Sequence, residues 1–580
     1  MKLKAKTVAA LGALACAASA LSGCALWHET VGLRGPVRMQ QPRAVAAPAD
    51  MPSFRAAPMT PPALRGHVER LASDAFEGRA PATQGEALTI DYIVRAFTAA
   101  GLQPGARQPD GSIGWRQTVP LSVSRLSNAP DIDLTQGRER NTLRYGADIV
   151  LWTKRDAPSV SLADAELVFV GYGVVSPQLG WNDYAGLDMH GRVALILAND
   201  PDFATGDDRG FGGRALSAFG DVSTKLEEAA RQGAEGALII HETGAVGVTW
   251  DRIGATYSGA QFDLVRDDAG AGRPAVEGWI RQGAAEALIA RAGFDLATLR
   301  AQAQRPDFTP TPLEVSASTS LEVEHETRMS ANVIGVLPGG RRENEAVLYA
   351  ANWDDLGHCP PVAGDDICNG ALDNASGVAG LIELARRFSS EQRRQRSLAF
   401  VAFTGREAGR LGSQFYAAHP AFAPEHTAAA IQLNSLSING PTRDIVVAGY
   451  GQGDLERLLG EAAARQNRAV ASELHPELST FYGSDAFSLA RAGIPTLAVV
   501  PGYNLYLGGE ARGRALAQTY LTERAHTPDD EVTPSWDLTG ATRDLLALHD
   551  LGARLADSDQ WPNWRAGSEF RALRDAQRQR

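Results

Sequence analysis

The sequence has no basic block. Its 56 Lys+Arg stand against 68 Asp+Glu, a formal net charge of −12. Lysine occurs only five times, three of them (Lys2, Lys4 and Lys6) at the extreme N-terminus. An acidic chain without a basic patch is poorly suited to a phosphate backbone, so nucleic acid is excluded as the expected partner. There is no strict glycine period, which excludes a fibre, and the apolar share of 44% excludes a mainly disordered chain. No G-x-S-x-G elbow is present. Gly171-Tyr172-Gly173 is not continued into a dinucleotide fingerprint. What remains is a soluble globular chain of 580 residues, long enough for three or four folding units or two large ones.

The one marked apolar run is Thr7–Ala20, preceded by the lysines and followed by Leu21-Ser22-Gly23-Cys24. It is too short to span a bilayer and has the flanks of a signal peptide. Leu-Ser-Gly-Cys resembles the bacterial lipobox, in which Cys24 is lipidated and becomes the first mature residue. The alternative is an ordinary cleaved signal in which Cys24 has no role. Removal of Met1–Gly23 takes three lysines and no acid, moving the net charge from −12 to −15. Ala25, where an aspartate would signal inner-membrane retention, favours the outer membrane. The expected location is therefore the envelope of a Gram-negative-type bacterium, anchored by lipid on Cys24 and facing the periplasm. Residues 24–60, rich in Pro, Ala and Arg, read as a tether.

With Cys16 and Cys24 in the leader, Cys359 and Cys368 remain, in the loop-like stretch HCPPVAGDDICNG. In an oxidising compartment the default is a disulfide; a metal site would need more nearby ligands than His358 alone.

Three regions follow the tether. Residues 61–130 predict helices over 63–72 and 84–100. Residues 131–320 alternate strand and helix, with strands at Leu167–Val170, Val193–Leu197 and Gly236–Ile240 and a helix at Ser223–Gln232. Residues 321–560 repeat a strand-then-helix pattern, with strands at Asn332–Leu337, Ala346–Asn352, Ser397–Thr404, Ala428–Leu433, Ile445–Ala448 and Thr496–Val500. That pattern predicts an α/β fold with an open, mostly parallel sheet covered by helices on both faces. Sites in such sheets form at the carboxyl ends of strands. Those ends deliver Asn352-Trp353-Asp354-Asp355, Asp373-Asn374, Arg406-Glu407 and Asn434, and a late loop delivers His526. Recurrent acidic and imidazole groups point to a metal centre more than to a nucleophile–base pair. The alternative is a set of solvated loop residues.

Five segments carry a resemblance: ANWDDLG (351–357), GALDNASG (370–377), FTGREAGRLGS (403–413), FYGSDAF (481–487) and AHTPDD (525–530). In order and spacing they are similar to metallopeptidase family 28, the di-zinc aminopeptidases whose relatives include glutaminyl cyclases, nicastrin and the transferrin receptor. Residues about 160–290 resemble the protease-associated domain inserted in some members. The resemblance implies a peptidase-like domain over 321–560 with its N-terminal part at 61–130. It also implies a protease-associated insert with connections over 131–320, of α/β or β-rich type. The signal peptide with lipobox is 1–23; in a C-terminal tail, 561–580, the charge-rich run Arg571–Arg580 is expected to be a frayed, solvated helix end.

At the chemistry, the resemblance maps the bridging aspartate onto Asp373, one glutamate ligand onto Glu407 and the last histidine ligand onto His526. The general-base position falls on Arg406, the first histidine ligand on Asn352, and an aspartate ligand on Asn434. Asp354 and Asp485 take supporting positions, and a histidine common in the family falls on Ala486. Asparagine amides are poor zinc ligands beside imidazole or carboxylate. Arginine cannot accept a proton from water. The expectation is a residual set of Asp373, Glu407 and His526 holding one zinc or none, with Arg406 in ion-pair reach of Asp373 or Glu407. Candidates for a replacement base are Asp354, Asp355, His358 and Asp485. The implied ligand is a peptide or protein in the cleft, bound by a protein with weakened or lost hydrolysis; the rival is a one-zinc aminopeptidase. An Asp373–Asn374 cis peptide, in a turn framed by Gly370 and Gly377, also follows from the resemblance.

Overall fold

The strand-then-helix repeat after residue 325 folds into a sheet whose four central strands run parallel. In spatial order these are Arg396–Phe403, Arg342–Asn352, Thr427–Leu433 and Thr496–Val500. Antiparallel neighbours close both sides, Thr311–Leu337 beside Arg396–Phe403 and Asp444–Ala448 beside Thr496–Val500. This is a computed structural model, and it describes residues 58–477 and 480–579. The predicted leader, Cys24 and nearly all of the tether lie outside the described residues.

The central strands are apolar on both sides because both faces are covered. Val347, Tyr349, Ala351, Phe400, Ile431 and Leu433 point into one core. The helices Pro61–Leu71, Gln84–Ala99, Ser376–Ser389 and Thr539–Asp557 supply the other half of that core. Their sequence neighbours Leu348, Ala350, Val401, Phe403 and Ala430 point the other way, onto Tyr416, Leu489 and Ile494. Alternation with two buried faces produces the near-continuous apolar runs that the sequence shows. The first helix begins two residues before the predicted 63: Thr60 caps it, accepting from the Ala63 N–H at 3.4 Å, and Pro61 takes the first position.

Residues 132–323 pack about apolar cores of their own. Here Ser159–Phe169, Arg192–Leu197, Gly236–His241 and Val276–Arg281 form a parallel set. The strand predicted as Asn332–Leu337 is far longer, running from Thr311 to Leu337. Its first part pairs with Ser159–Phe169 and its last part with Arg396–Phe403, so one strand is shared by both sheets. The two parts are also joined through Arg410. Its guanidinium donates to the Tyr482 carbonyl, to Ser223 Oγ at 2.8 Å and to Asp221 Oδ1 at 3.2 Å.

The C-terminus corrects an expectation. Arg571–Arg578 is a helix, but Arg574 is fully buried and donates to the carbonyls of Pro424 and Thr427 at 2.8 and 3.0 Å. A charged composition suggested solvation; here a guanidinium satisfies main-chain carbonyls instead, which docks the helix. Trp536 and Trp564 are packing residues, buried in two different cores. Among the described residues, no helix is long and apolar enough to cross a membrane.

Candidate active site and metal centre

The carboxyl ends of the parallel strands converge on one site. Strand Arg342–Asn352 ends in Asn352, which is buried and has both amide atoms in use. Its Nδ2 donates to the Asp354 carbonyl at 3.0 Å, and its Oδ1 accepts from Asn374 Nδ2 at 2.8 Å. Asn374 also donates to the Leu433 carbonyl at 2.9 Å, tying two strand ends together. The Asp373–Asn374 peptide is cis. Gly370 precedes that turn with φ 51°, and a Cβ there would lie 2.2 Å from Asp355 Oδ2. Only glycine fits at that approach.

Arg406 follows strand Arg396–Phe403 and turns inward. Its Nη1 lies 3.3 Å from Asp373 Oδ2 and pairs directly with Glu407 Oε1. Burial works against its charge, but Asp373, then Asp485 and Asp354, outweigh it and raise its pKa. Asp354 is pushed up to about 7 by burial and by Asp485. Asp485, also buried, is pushed up to about 6. Neither carboxylate of these two makes a hydrogen bond of good geometry, and both amide atoms of Asn434 are likewise left over.

Glu407 reaches on to His526, with 3.7 Å between Glu407 Oε2 and His526 Nδ1. Burial holds the imidazole below its ordinary pKa. Among the described residues, one group of His, Cys, Asp and Glu has its ligand-type atoms gathered within 4.8 Å of one another: Asp355, Glu407 and His526. Two members are those expected. The third is Asp355, while Asp373 is turned onto Arg406. Burial raises the pKa of Asp355 well above the carboxylate range, with Arg79 acting in the opposite sense. His358 stands away on an exposed hairpin, 3.3 Å from Asp366. That hairpin carries the Cys359–Cys368 disulfide. Ala486 is fully buried.

Two contributors were given no role from the sequence, although Asp530 lies in the AHTPDD segment. Arg79, fully buried, donates to the carbonyls of Trp353, Leu71, Asn369 and Gly370 at 3.0, 2.8, 2.6 and 2.9 Å. It fixes both ends of the segment that carries Asp355. Asp530 accepts from the Leu372 and Asp373 N–H groups at 3.0 and 3.1 Å and from the Tyr520 hydroxyl at 3.0 Å, which holds the Asp373 turn.

Residues 332–549, which contain every one of the convergent strand ends, match the sequence profile of Peptidase family M28. They form an M28 domain. Among solved structures, the chain is similar to an aminopeptidase from Aneurinibacillus sp. strain AM-1. Identity is 19% and the TM-score 0.47, covering 86% of this chain and 95% of that one. It is also similar to BSAP, a zinc aminopeptidase from Bacillus subtilis. That match has 15% identity and a TM-score of 0.43, over 89% of this chain and 98% of that one. A peptidase M28 precursor from Shewanella amazonensis SB2B shows 16% identity and a TM-score of 0.37, over 86% and 97% of the two chains.

The donors of this M28 domain do not fit a pair of zinc ions. Asn352 has spent its amide, Asn434 offers only a neutral one, and the guanidinium of Arg406 contacts Asp373 and Glu407. Two dications beside a fixed cation would face direct repulsion. Asp355, Glu407 and His526 are, by type and number, a set that suits one zinc. Arg406 competes for it through Glu407.

Proposed function

We propose that this M28 domain is a peptide- or protein-binding module whose hydrolytic centre has been rebuilt around Arg406, with aminopeptidase turnover lost or greatly weakened. The observation that carries the reading is the guanidinium shared between Asp373 and Glu407. It occupies the general-base position of the resemblance with a group that accepts no proton, and its single charge offsets one of the two carboxylates it contacts. Loss of a general base alone costs about 10²–10⁴ in rate. Independent drift in a working enzyme would not reach Asn352, Arg406 and Asn434 together. Residues 131–320 take the part of a protease-associated insert in this reading.

The test joins metal analysis of the purified protein to an aminoacyl-anilide assay. Little zinc and no chelator-sensitive turnover are expected. Stoichiometric zinc with turnover that a chelator abolishes would overturn the proposal.

The trio Asp355, Glu407 and His526 favours a second reading, an aminopeptidase with one zinc releasing N-terminal residues from peptides. A zinc ion held there would supply Lewis-acid polarisation of a carbonyl. Glu407 would have to release Arg406, and Asp355 would have to ionise despite its burial. The same two assays separate the readings.

The envelope placement belongs to the proposal and rests on Leu21–Cys24. Labelled palmitate is expected to enter the protein in cells and to be lost in Cys24→Ala. Equal labelling of both would remove the lipid anchor.

A further inference from the structure

Away from the candidate centre, the loop after strand Thr496–Val500 holds one apolar side chain out in water on a fixed mount. Leu505 is buried, and the main chain around it is pinned on both sides. The Arg443 N–H donates to the Asn504 carbonyl at 2.7 Å, the Tyr506 N–H to the Pro441 carbonyl at 3.0 Å, and Arg443 Nη1 to the Leu505 carbonyl at 2.6 Å. Asp444 accepts from the Tyr503 and Asn504 N–H groups at 3.3 and 3.0 Å. Tyr506 is exposed, but the guanidinium of Arg443 lies 4.6 Å and that of Arg543 5.2 Å from its ring centre. Leu507, next in line, is 80% exposed, more than any other large apolar side chain among the described residues. A single exposed leucine needs no explanation. A leucine held outward by a loop fixed at its base is preorganised for contact.

A second, independent feature is charge. The sequence has no basic block, yet the fold gathers arginines from positions 443, 512 and 543 around this tip. Gly508, with φ 99°, turns the chain from Leu507 into helix Gly509–Glu523, and a Cβ on it would collide with Arg512 Cδ, so Arg512 lies against the tip. Among the described residues, Arg443, Arg512 and Arg543 have no carboxylate oxygen within 4.0 Å, whereas Arg468 and Arg514 pair with Asp544 and Glu510. The acids of the same segments are engaged: Glu510 by Arg514, Asp444 by the loop N–H groups and Asp537 by Thr539. Leu546, one turn along from Arg543 on helix Thr539–Asp557, is also exposed. The tip is thus apolar and ringed by cations, on a chain whose net charge is −12.

We propose that Tyr506 and Leu507, with Arg443, Arg512 and Arg543 around them, dock onto an anionic lipid surface. The arrangement is that of an interfacial contact. The apolar tip enters the boundary between headgroups and acyl chains, while the guanidinium groups stay at the level of the lipid phosphates and pair with them. A nucleic acid would use the arginines and leave Leu507 in water. A second copy of this chain, meeting the same face, would set three more cations against the first three. The contact is separate from the acyl chain proposed on Cys24; it would set which face of the M28 domain lies on the membrane.

The experiment uses the full chain carrying Cys24→Ala, so that no acyl chain contributes. It is sedimented with vesicles of phosphatidylcholine alone or with about 30% phosphatidylglycerol. Saturable binding to the mixed vesicles is expected, at least tenfold tighter than to phosphatidylcholine and weakened by salt. In the same background, Leu507→Glu is expected to weaken binding at least tenfold and Arg512→Gln about fivefold. Both side chains are exposed, so both variants should melt with the parent. Ile113→Glu, at an exposed apolar side chain on the Ala106–Gly114 hairpin, is expected to bind as the parent does. Equal affinity for the two vesicle types, undiminished binding of Leu507→Glu, or an equal loss in Ile113→Glu would each overturn the proposal. Self-association that Leu507→Glu abolishes, without vesicle binding, would give the face to a second copy and overturn it too. Zinc content and turnover do not enter these readings, so they leave the proposed function to its own test.

Discussion

Replacing Arg406 by glutamine removes a charge while keeping part of the stem and two N–H donors. The side chains of Arg406, Asp373 and Glu407 are 14%, 16% and 19% exposed, so solvent screens their contact only modestly. Removing one partner of a buried ion pair costs about 3–5 kcal/mol, because the other charge stays buried without compensation. At roughly 2–4 °C per kcal/mol for a domain of this size, Arg406→Gln should melt about 6–20 °C below the wild type. Zinc should then act on the variant and not on the parent. With the guanidinium gone, Glu407 is free to join Asp355 and His526. Zinc at 100 times its dissociation constant would return about 2.7 kcal/mol by mass action. Scanning calorimetry of both proteins, each with chelator and with excess zinc, reads all four states. A variant as stable as the wild type would show that the Arg406 contacts contribute nothing. A wild type stabilised by zinc as strongly as the variant would show that the guanidinium does not block the metal.

Three further outcomes follow from side chains around the centre. Arg79→Met should lower stability by more than about 3 kcal/mol, since four carbonyls lose their donor inside the protein; denaturant unfolding within 1 kcal/mol of the wild type would contradict this. Glu86, pushed up to about 7 by burial, is protonated more readily folded than unfolded. Its contribution is full below its unfolded pKa and is lost as the pH rises through about 7, by at most about 3 kcal/mol. Glu86→Gln should therefore flatten the fall in stability between pH 5 and 8, and an unchanged pH profile would refute it. Arg410→Ala and Asp221→Ala should be non-additive by about 1–3 kcal/mol, because the two groups meet across the joint between the M28 domain and residues 132–323; strict additivity in a double-mutant cycle would dissolve that contact.

The legible parts of this fold are those in which a local pattern reports a local cause. Apolar runs such as Leu398–Phe403 read as strands because both their faces are covered. Arg406, Glu407 and His526 fell on the site because each sits in a short motif at a strand end or in the late loop. Asp355 was read as a candidate base and not as a metal ligand: Asp354 and Asp355 are adjacent and chemically alike, and the sequence does not show that Asp355 is the one gathered with Glu407 and His526. Arg79 was invisible because its partners, Asn369 and Gly370, lie about 290 residues away and are main-chain carbonyls with no side-chain signature. Arg574 was misread from composition: Arg396, Arg574 and Arg578 gather around the Trp561 ring, which no run of charges announces.

The replaced positions are coupled through charge, and the coupling yields a sharper expectation than any one of them. In the resemblance, positions 373, 406, 407 and 434 are all carboxylates, four negative charges balanced by two dications. Here Asp373 and Glu407 remain, position 434 is neutral and position 406 is positive, leaving one negative charge. A centre with one residual charge can close without metal; a centre with four cannot. Restoring one position alone should therefore harm the protein. Arg406→Glu puts a third carboxylate beside Asp373 and Glu407 with no cation between them, so it should melt below Arg406→Gln in chelator. Adding Asn352→His and Asn434→Asp supplies the remaining ligands. That triple variant should be the least stable of all in chelator and should recover the most with zinc, taking up two ions per chain. If it binds no zinc, the correspondence of positions 352, 406 and 434 to metal-centre positions is wrong. If Arg406→Glu alone proves as stable as the wild type, the carboxylates around Arg406 are not held at the separations on which this charge argument depends.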